Sequence, residues 1–386
     1  MPWLEELLAR NAHCAYLRRY GSPRTVDEFI ERVPIVSHDD IEPFIASPEP
    51  DVLFAGRPVA YERTSGSSGA SKLIPYSAEG LGDFRRAVAP WVSRMLRGVT
   101  GSVYLAISPA TRAPEFINGI PVGLPDCAYV DLDIRPAVPY EVASIADVEQ
   151  WRAETVRHLA AARDLEVISV WSPTFLLRLL DEYPFDWPAL RIVSCWASST
   201  SKPFAEELAR RLPQARIQPK GLISTECVVT VPDEDDRPRL NPSGFFEFER
   251  VEDDVYEVIA TTASGLYRYR TGDLVNAQLE FLGRARVSDL VGEKLSEPFV
   301  ASCLHDVRGF LAPQTDAYVL FAEHVVDAGK IESRLCANPQ YAYARRLGQL
   351  QPLRVVHVLD LQAHYTQTQL ARGARLGDIK PPGLMT

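Results

Sequence analysis

The chain has 386 residues, of which 46% are hydrophobic and 24% are charged, and its formal net charge is -10. This composition is that of an ordinary globular protein with material for one large core and a smaller domain. The acidic balance argues against nucleic acid as a partner, because phosphates attract a basic surface. No run of about 18 apolar residues is present, so the sequence predicts no membrane span.

The first ten residues combine apolar side chains with Glu5 and Glu6, at positions where a secretory signal would carry basic residues. They predict an amphipathic helix, and we expect a cytoplasmic protein. Six cysteines are scattered along the chain without paired spacing. That spacing predicts neither a zinc cluster nor a disulfide framework.

Apolar strands alternate with helical stretches and predict an α/β architecture with mixed sheets. The predicted strands are 59–63, 73–75, 102–107, 165–170, 190–196, 216–219 and 255–261, and the predicted helices are 78–99, 148–163 and 202–212. After residue 283 the alternation restarts on a smaller scale, with helices near 297–310, 329–336 and up to about 372, and strands at 317–323 and 353–359. We therefore predict two domains, 1–283 and 284–386.

A segment rich in hydroxyl groups precedes Lys72 and consists of Thr64, Ser65, Gly66, Ser67, Ser68 and Gly69. Glycines allow close approach of the backbone, hydroxyls donate hydrogen bonds and the lysine adds a charge, so the segment predicts a polyphosphate loop. It is not a Walker loop, because Ser71 directly precedes the lysine. A flexible linker is the alternative, but the predicted strands on either side favour a loop within one sheet.

Residues 220–226 (KGLISTE) follow a predicted strand and precede an apolar segment. Glu226 is suited to hold Mg²⁺, and Thr225 is suited to contact a phosphate. An ordinary polar turn explains these residues equally well.

Residues 265–273 (GLYRYRTGD) predict a strand with Tyr267 and Tyr269 on one face and Arg268 and Arg270 on the other. At the end of that strand a turn presents Asp273, whose carboxylate suits hydrogen bonds to the two hydroxyls of a ribose. A backbone cap is the alternative role for this carboxylate. The charged, glycine-containing residues 283–297 predict either an interdomain hinge or a plain exposed loop.

In this order the segments resemble the adenylate-forming ligases, and within them the GH3 family of acyl acid amido synthetases, as a short bacterial-type member. Further matching motifs are residues 16–21 (YLRRYG), 33–36 (VPIV), 292–295 (GEKL) and 373–381 (GARLGDIKP), so the resemblance runs from about residue 11 to 381. It implies a large N-terminal domain of β-sheets flanked by helices, a small mobile C-terminal domain, and an active site between them.

The resemblance also implies ATP and Mg²⁺ as cofactors, with a carboxylic acid and an amine or amino-acid acceptor as partners. By this resemblance the loop from Thr64 to Gly69, with Lys72, holds the β- and γ-phosphates, while Thr225 and Glu226 serve the α-phosphate and Mg²⁺. Asp273 would hold the ribose, and the remaining nucleotide-binding residues would be Ser198, Ser199 and Arg284. Lys380 matches the lysine that such ligases bring into the cleft, although it could also be an ordinary tail residue.

The acid pocket is expected to involve Thr111, Arg112, Phe116, Trp171 and Phe175, of which Arg112 could pair with a second anionic group of the acid. Packing loops would carry similar residues. The C-terminal part and the segment after Asp273 are shorter than in the plant enzymes, so the acceptor is less well defined than the adenylation. A thiol acceptor (coenzyme A or a carrier protein) and a non-catalytic nucleotide-binding homologue are the alternatives.

Overall fold

The computed structural model describes residues 2–64, 72–105, 115–124, 134–285, 287–288, 290–291, 293, 295–314, 316–346, 349–371 and 383–384. The helices within these residues are α1 (Pro2–Asn11), α2 (Ala15–Arg19), α3 (Val26–Arg32), α4 (His38–Ile45), α5 (Ala78–Met95), α6 (Val148–Ala161), α7 (Pro173–Glu182), α8 (Lys202–Arg211), α9 (Glu297–Cys303), α10 (Ala328–Leu335), α11 (Pro339–Arg346) and α12 (Leu361–Ala371).

The strands within the same residues are β1 (Ala60–Arg63), β2 (Leu73–Tyr76), β3 (Ser102–Leu105), β4 (Glu115–Ile117), β5 (Ile120–Val122), β6 (Leu165–Ser169), β7 (Ile192–Cys195), β8 (Arg216–Pro219), β9 (Thr230–Pro232), β10 (Pro238–Leu240), β11 (Phe245–Glu252), β12 (Val255–Thr261), β13 (Tyr269–Val275), β14 (Phe281–Arg284), β15 (Val287–Ser288), β16 (Leu295–Ser296), β17 (Gly309–Gln314), β18 (Ala317–Ala322) and β19 (Arg354–His357). The predicted α/β architecture with mixed sheets is confirmed.

A parallel four-stranded sheet has the strand order β3-β6-β7-β8. Trp91 of α5 packs on one face of this sheet against Val103 and Val167. Leu176 of α7 and Leu208 of α8 belong to the apolar cluster on the other face. Because the strands are parallel, their carboxyl ends meet at one edge, and the loops that follow them lie together.

Two further sheets contain antiparallel pairs and have the orders β2-β1-β5-β4 and β11-β12-β13-β14. Their shared core includes Tyr16, whose ring stacks on Tyr267 with centroids 5.5 Å apart. Asn11 Nδ2 donates a hydrogen bond to the Tyr267 hydroxyl at 2.9 Å. The N-terminal helices are therefore attached to the segment that leads into β13.

The prediction that residues 267–270 form an alternating strand is wrong for the first two residues, because Arg268 has a φ of +49° and β13 begins at Tyr269. The Arg268 guanidinium pairs with Glu247 and donates to the carbonyl groups of Ile30 and Val33. Its partners lie within the fold, so we assign this arginine a structural role.

The C-terminal part contains the three-stranded sheet β17-β18-β19 and a separate apolar cluster that includes Leu311, Leu320 and Ile331. The predicted helix 297–310 is wrong after Cys303, because residues from Gly309 onward pair with β18 instead. A cation of this part, Arg308, lies 3.4 Å from the Glu207 carboxylate of α8. The domain boundary at residue 283 remains a prediction. In the part of the chain that the structure describes, no helix is long and apolar enough to cross a membrane.

Candidate active site

Loops at the carboxyl edge of the parallel sheet form the candidate site. Trp171 follows β6, residues 196–199 follow β7, and residues 220–226 follow β8. The backbone N–H of Trp196 donates to the Trp171 carbonyl at 2.9 Å, and the two indole rings lie 5.9 Å apart. Open parallel sheets bind ligands at this edge, so the position supports a binding site.

The loop that carries Thr225 and Glu226 is held from both sides. The Tyr76 hydroxyl donates to the Thr225 carbonyl at 2.7 Å, and the Val229 N–H donates to the Leu222 carbonyl at 2.9 Å. Burial raises the pKa of Tyr76 well above its ordinary value, with Glu62 and Glu226 adding to the effect, so this hydroxyl stays a donor. Glu226 is only 8% exposed.

Asp273 lies inside β13 rather than in a turn at its end, so that detail of the prediction is corrected. The pairing of β12 with β13 shifts register between Glu257 and Ile259, and Gly272 has a φ of +75°. The Thr271 hydroxyl donates to the Val258 carbonyl at 2.8 Å and accepts from the Asp273 N–H at 3.1 Å. This bulge, which glycine permits, redirects the Asp273 side chain.

The Asp273 carboxylate is 1% exposed and lies 3.1 Å from Nε of Arg284. Neither carboxylate oxygen accepts a hydrogen bond of good geometry from the described residues. The negative charge of Asp273 raises the pKa of Arg284, and Glu226 and Glu297 add to the effect. The structure thus brings together Glu226, Asp273 and Arg284, and it leaves a buried carboxylate able to accept two hydrogen bonds.

Ser198 and Ser199 line a cleft of about 760 Å³, together with Leu282, Arg308 and Tyr365. Ser199 has a φ of +50°, and its hydroxyl donates to the Leu282 carbonyl at 2.7 Å. The cleft therefore lies between the edge of the parallel sheet and residues of the C-terminal part. Binding of adenine by Ser198 and Ser199 remains a prediction.

The base of the predicted phosphate loop is closed by the antiparallel pair β1 and β2, as expected from the flanking strands. The Thr64 N–H donates to the Lys72 carbonyl at 2.9 Å, and the Lys72 N–H donates to the Thr64 hydroxyl at 3.1 Å. The other predicted site residues of this loop and three more lie outside the described residues: Ser65, Gly66, Ser67, Ser68, Gly69, Thr111, Arg112 and Lys380.

The three described residues of the predicted acid pocket do not lie together. Trp171 packs in the same apolar cluster as Trp91 of α5. Phe175 belongs to the cluster on the other face, where its ring lies 6.1 Å from that of Trp151. Phe116 is on β4 and 63% exposed. Trp171 is thus the one of these three that adjoins the loops of the candidate site, and the pocket remains a prediction.

Lys220 was given no role by the sequence motifs. It follows β8 directly and is only 4% exposed, and its ammonium lies 4.7 Å from the Trp171 ring centroid and 5.0 Å from that of Trp91. Burial lowers the pKa of Lys220 to about 7. The sequence feature that could have identified Lys220 is its position directly after the predicted strand 216–219, at the carboxyl end of a parallel sheet.

This architecture occurs in solved structures. The match to the GH3.15 acyl acid amido synthetase has a TM-score of 0.83 at 19% identity and covers 99% of this chain and 90% of that chain. The match to a 2-hydroxyisobutyryl-CoA ligase has a TM-score of 0.56 at 13% identity and covers 96% and 91%. At these identities the likeness shows the fold alone, which this chain shares with both proteins.

The family follows from the sequence. The model of the GH3 family N-terminal domain matches residues 2–183, and that of the GH3 family central domain matches residues 241–283. Together the two models match more than half of the chain. The chain therefore belongs to the GH3 family, as the motifs predicted.

Curated relatives agree with this assignment. Indole-3-acetic acid-amido synthetase GH3.15 of Arabidopsis thaliana is 33% identical over 128 residues, which cover 31% of this chain and 22% of that protein. Probable indole-3-acetic acid-amido synthetase GH3.4 of Oryza sativa subsp. japonica is 30% identical over 213 residues, which cover 48% and 33%. These two sequence alignments span no more than a third of each relative.

Proposed function

We propose that the chain is an ATP-dependent ligase that activates a carboxylic acid as an acyl-adenylate and transfers the acyl group to an amine or amino acid. The observation that carries this proposal is the buried Asp273 carboxylate, which lies beside Arg284 and has both oxygens available as acceptors. The relatives named indole-3-acetic acid-amido synthetases support the amide product. The GH3.15 structure in complex with 2,4-DB supports a small carboxylic acid as substrate.

A carboxylate is a poor electrophile, so the first half-reaction converts it into an acyl-adenylate. A carboxylate oxygen attacks the α-phosphorus of ATP, and the bond to pyrophosphate breaks. In the second half-reaction the amine nitrogen attacks the acyl carbon, the bond to AMP breaks, and the nitrogen loses a proton. Both steps depend mainly on placement of the reactants and neutralisation of charge.

The residues divide this work by position. Asp273 accepts hydrogen bonds from the two ribose hydroxyls, and Arg284 lies beside that carboxylate as its counter-ion. Thr225 contacts the α-phosphate, and residues 64–72 hold the β- and γ-phosphates. Ser198 and Ser199 lie against adenine.

We assign Mg²⁺ to Glu226 and the phosphates of ATP. The ion neutralises phosphate charge when bound. Among the described residues no group of three or more His, Cys, Asp or Glu is arranged to hold a metal ion. A nearly buried single carboxylate such as Glu226 fits Mg²⁺, which proteins often bind through one or two carboxylates and substrate phosphates.

We further propose that residues 284–386 form a small mobile domain that brings Lys380 to the reacting carboxylate. Substitution Lys380→Ala tests this role, because an active ligase should lose pyrophosphate release while ATP binding stays near normal. A non-catalytic nucleotide-binding homologue has no turnover for this substitution to remove.

The direct experiment measures acid-dependent pyrophosphate release with ATP and Mg²⁺ over a panel of alkyl and aryl acids. Each acid is tested alone, with amino acids, and with coenzyme A. Release that requires an acid and increases with an amine supports the amide ligase. Release that increases only with the thiol supports thioester formation instead, and no release with any acid, despite ATP binding, contradicts the proposed function.

A further inference from the structure

Lys220, at the carboxyl edge of the parallel sheet, is a buried cation that has no anionic partner among the described residues. Lys220 Nζ donates to the Ser169 hydroxyl at 2.7 Å and lies near the faces of Trp91 and Trp171. Among the described residues no carboxylate acts on its charge. Lysines this deeply buried are normally paired, because removing an ammonium from water is costly.

The side chains next to Lys220 on the same face of the sheet also supply hydrogen-bond donors. Ser169, Ser194 and Gln218 occupy one row across β6, β7 and β8. Ser194 Oγ and Gln218 Nε2 are buried and have no hydrogen-bond partner among the described residues. Gln218 Oε1 already accepts a hydrogen bond from Trp91 Nε1 at 3.0 Å. The Nε2 amide group of Gln218 therefore remains available as a donor. Lys220, two residues after Gln218, extends from the same face.

The surroundings leave the charge of Lys220 free to respond to a ligand. Trp91 faces it from α5, Ser169 and Trp171 from β6 and the loop that follows, and Cys195 from the end of β7. Cys195 is the titratable member of this group, and burial raises the pKa of its thiol to about 12, so it stays neutral. Among the described residues on this face no negative charge meets the ammonium, which leaves it available to an arriving anion.

The position matches that of a substrate pocket. Lys220 and Trp196 both line the cleft of about 760 Å³, and Thr225 and Glu226 follow in the same loop. Trp171, in contact with Lys220, is the predicted pocket residue that adjoins this edge. An acid whose reacting carboxylate lies near Thr225 would extend its other end along this edge.

We propose that Lys220 determines the specificity for the acid by binding a second anionic group, and that the substrate is a dicarboxylic acid. This inference rests on the proposed function. The Lys220 ammonium, whose residue borders the cleft, binds the distal carboxylate, and the buried donors of Gln218 and Ser194 lie behind it on the same face of the sheet. The ammonium directs one donor to Ser169 and keeps two for a carboxylate, which accepts up to four hydrogen bonds.

The experiment compares matched pairs of acids of equal length, one with a distal carboxylate and one with a distal methyl group. Acid-dependent pyrophosphate release is measured for the wild type, Lys220→Met, Lys220→Arg and Lys202→Met. Lys202 is an exposed lysine that lines the same cleft and serves as the matched control. We expect the wild type to prefer the diacid by about 100-fold in kcat/KM, mainly through KM, and Lys220→Met to abolish that preference.

The Lys202→Met variant should keep the preference, and Lys220→Arg should keep part of it. Equal use of both acids by the wild type would overturn the inference. A parallel loss of both acids in folded Lys220→Met would also overturn it, because Lys220 would then serve a step common to all acids. A distal phosphonate tests the same cation, and a preference for phosphonate over carboxylate would reject the dicarboxylate assignment.

A binding measurement separates this inference from the proposed function. The thermal shift that each acid produces is recorded for the wild type and for Lys220→Gln, which keeps a polar side chain. If no acid supports pyrophosphate release but the diacid still raises Tm in a way that requires Lys220, the binding site stands and the ligase function fails. If the diacid produces no more shift than the monoacid in the wild type, the binding site is rejected whatever the activity.

Discussion

Two buried charged groups on the same side of the molecule differ in how they are neutralised. Asp273 and Arg284 form an ion pair, with Glu226 and Glu297 close enough to raise the pKa of the arginine further. Lys220 lies in the loop that also carries Glu226, yet its described neighbours are two indole rings and a hydroxyl. The first group is electrostatically balanced without a ligand, and the second is not.

This difference separates a preformed site from a site that a ligand completes. The ion pair holds the Asp273 side chain in place without a ligand, which would preorganise the carboxylate for the proposed nucleotide. The isolated ammonium costs folding free energy in the empty protein, a cost that natural proteins tolerate at functional sites. A substitution of Asp273 should therefore mainly lower activity, whereas a substitution of Lys220 by an apolar residue should raise stability.

The largest effect is expected for Asp273→Asn. The amide keeps the shape of the side chain but offers one acceptor oxygen in place of two, and it leaves Arg284 without its closest counter-ion. We expect kcat/KM for ATP to fall by about 100- to 1,000-fold, or about 3–4 kcal/mol of transition-state stabilisation. Steady-state pyrophosphate release at varied ATP concentration measures this loss.

The matched control for this substitution is Asp253→Asn, at a fully exposed aspartate on the turn between β11 and β12. It should leave kcat/KM for ATP unchanged. Near-normal kinetics for Asp273→Asn would show that Asp273 does not hold the ribose, and the preformed-site interpretation would then fail.

Glu226→Gln should have the next largest effect and a different signature. Loss of the carboxylate charge weakens Mg²⁺ at the phosphates, so we expect the Mg²⁺ concentration for half-maximal activity to rise by about 10- to 100-fold. ATP-dependent activity is titrated with Mg²⁺ for the variant and for the wild type. An unchanged Mg²⁺ requirement would remove the metal-binding role while leaving the ribose contact of Asp273 untouched.

Lys220→Met should increase stability rather than decrease it. The apolar side chain fills a similar volume without the desolvation cost of the ammonium, and we expect about 1–4 kcal/mol of added unfolding free energy at pH 6.5. Denaturant unfolding of both proteins measures the difference. A loss of stability would mean that Lys220 supports the fold, and the ligand-completed interpretation would then fail.

The same lysine predicts a pH dependence of stability. Its pKa is lowered from 10.5 to about 7 in the folded protein, so between these values the unfolded chain binds more protons than the folded one. Wild-type stability should therefore gain from this group as pH rises through that window, by up to about 1.4 kcal/mol per pH unit, with the full cost present below pH 7. In Lys220→Met this contribution should be absent, and an unchanged slope would contradict the lowered pKa.

The sequence predicted the features that are encoded locally. The runs 216–219 and 255–261 coincide with β8 and β12, because apolar periodicity reports on a segment by itself. Most other predicted ends that the structure describes differ by a few residues, and the helix 297–310 is the exception, since it ends at Cys303. The order of the phosphate-loop, Thr225 and Asp273 motifs likewise identified the family.

Other features depend on contacts between distant segments. Arg268 combines a left-handed backbone with side-chain bonds to the carbonyl groups of Ile30 and Val33, and the bulge before Asp273 depends on pairing with β12. The isolation of Lys220 requires Trp91 of α5 to cover it. Periodicity and motif spacing carry no information about such contacts, so these features could not be predicted.

The smallest expected effect concerns Ser199, where two substitutions separate a hydrogen bond from backbone strain. Ser199→Ala removes the bond to the Leu282 carbonyl but keeps a side chain at a φ of +50°. It should cost about 1 kcal/mol of unfolding free energy. Ser199→Gly removes the same bond and relieves a left-handed strain of similar size, so it should be nearly neutral. Equal destabilisation by both variants would show that the hydrogen bond alone matters. A rise in KM for ATP with both variants would support the proposed position of Ser199 against adenine, and an unchanged KM would mean that its hydroxyl only joins the β7 loop to β14.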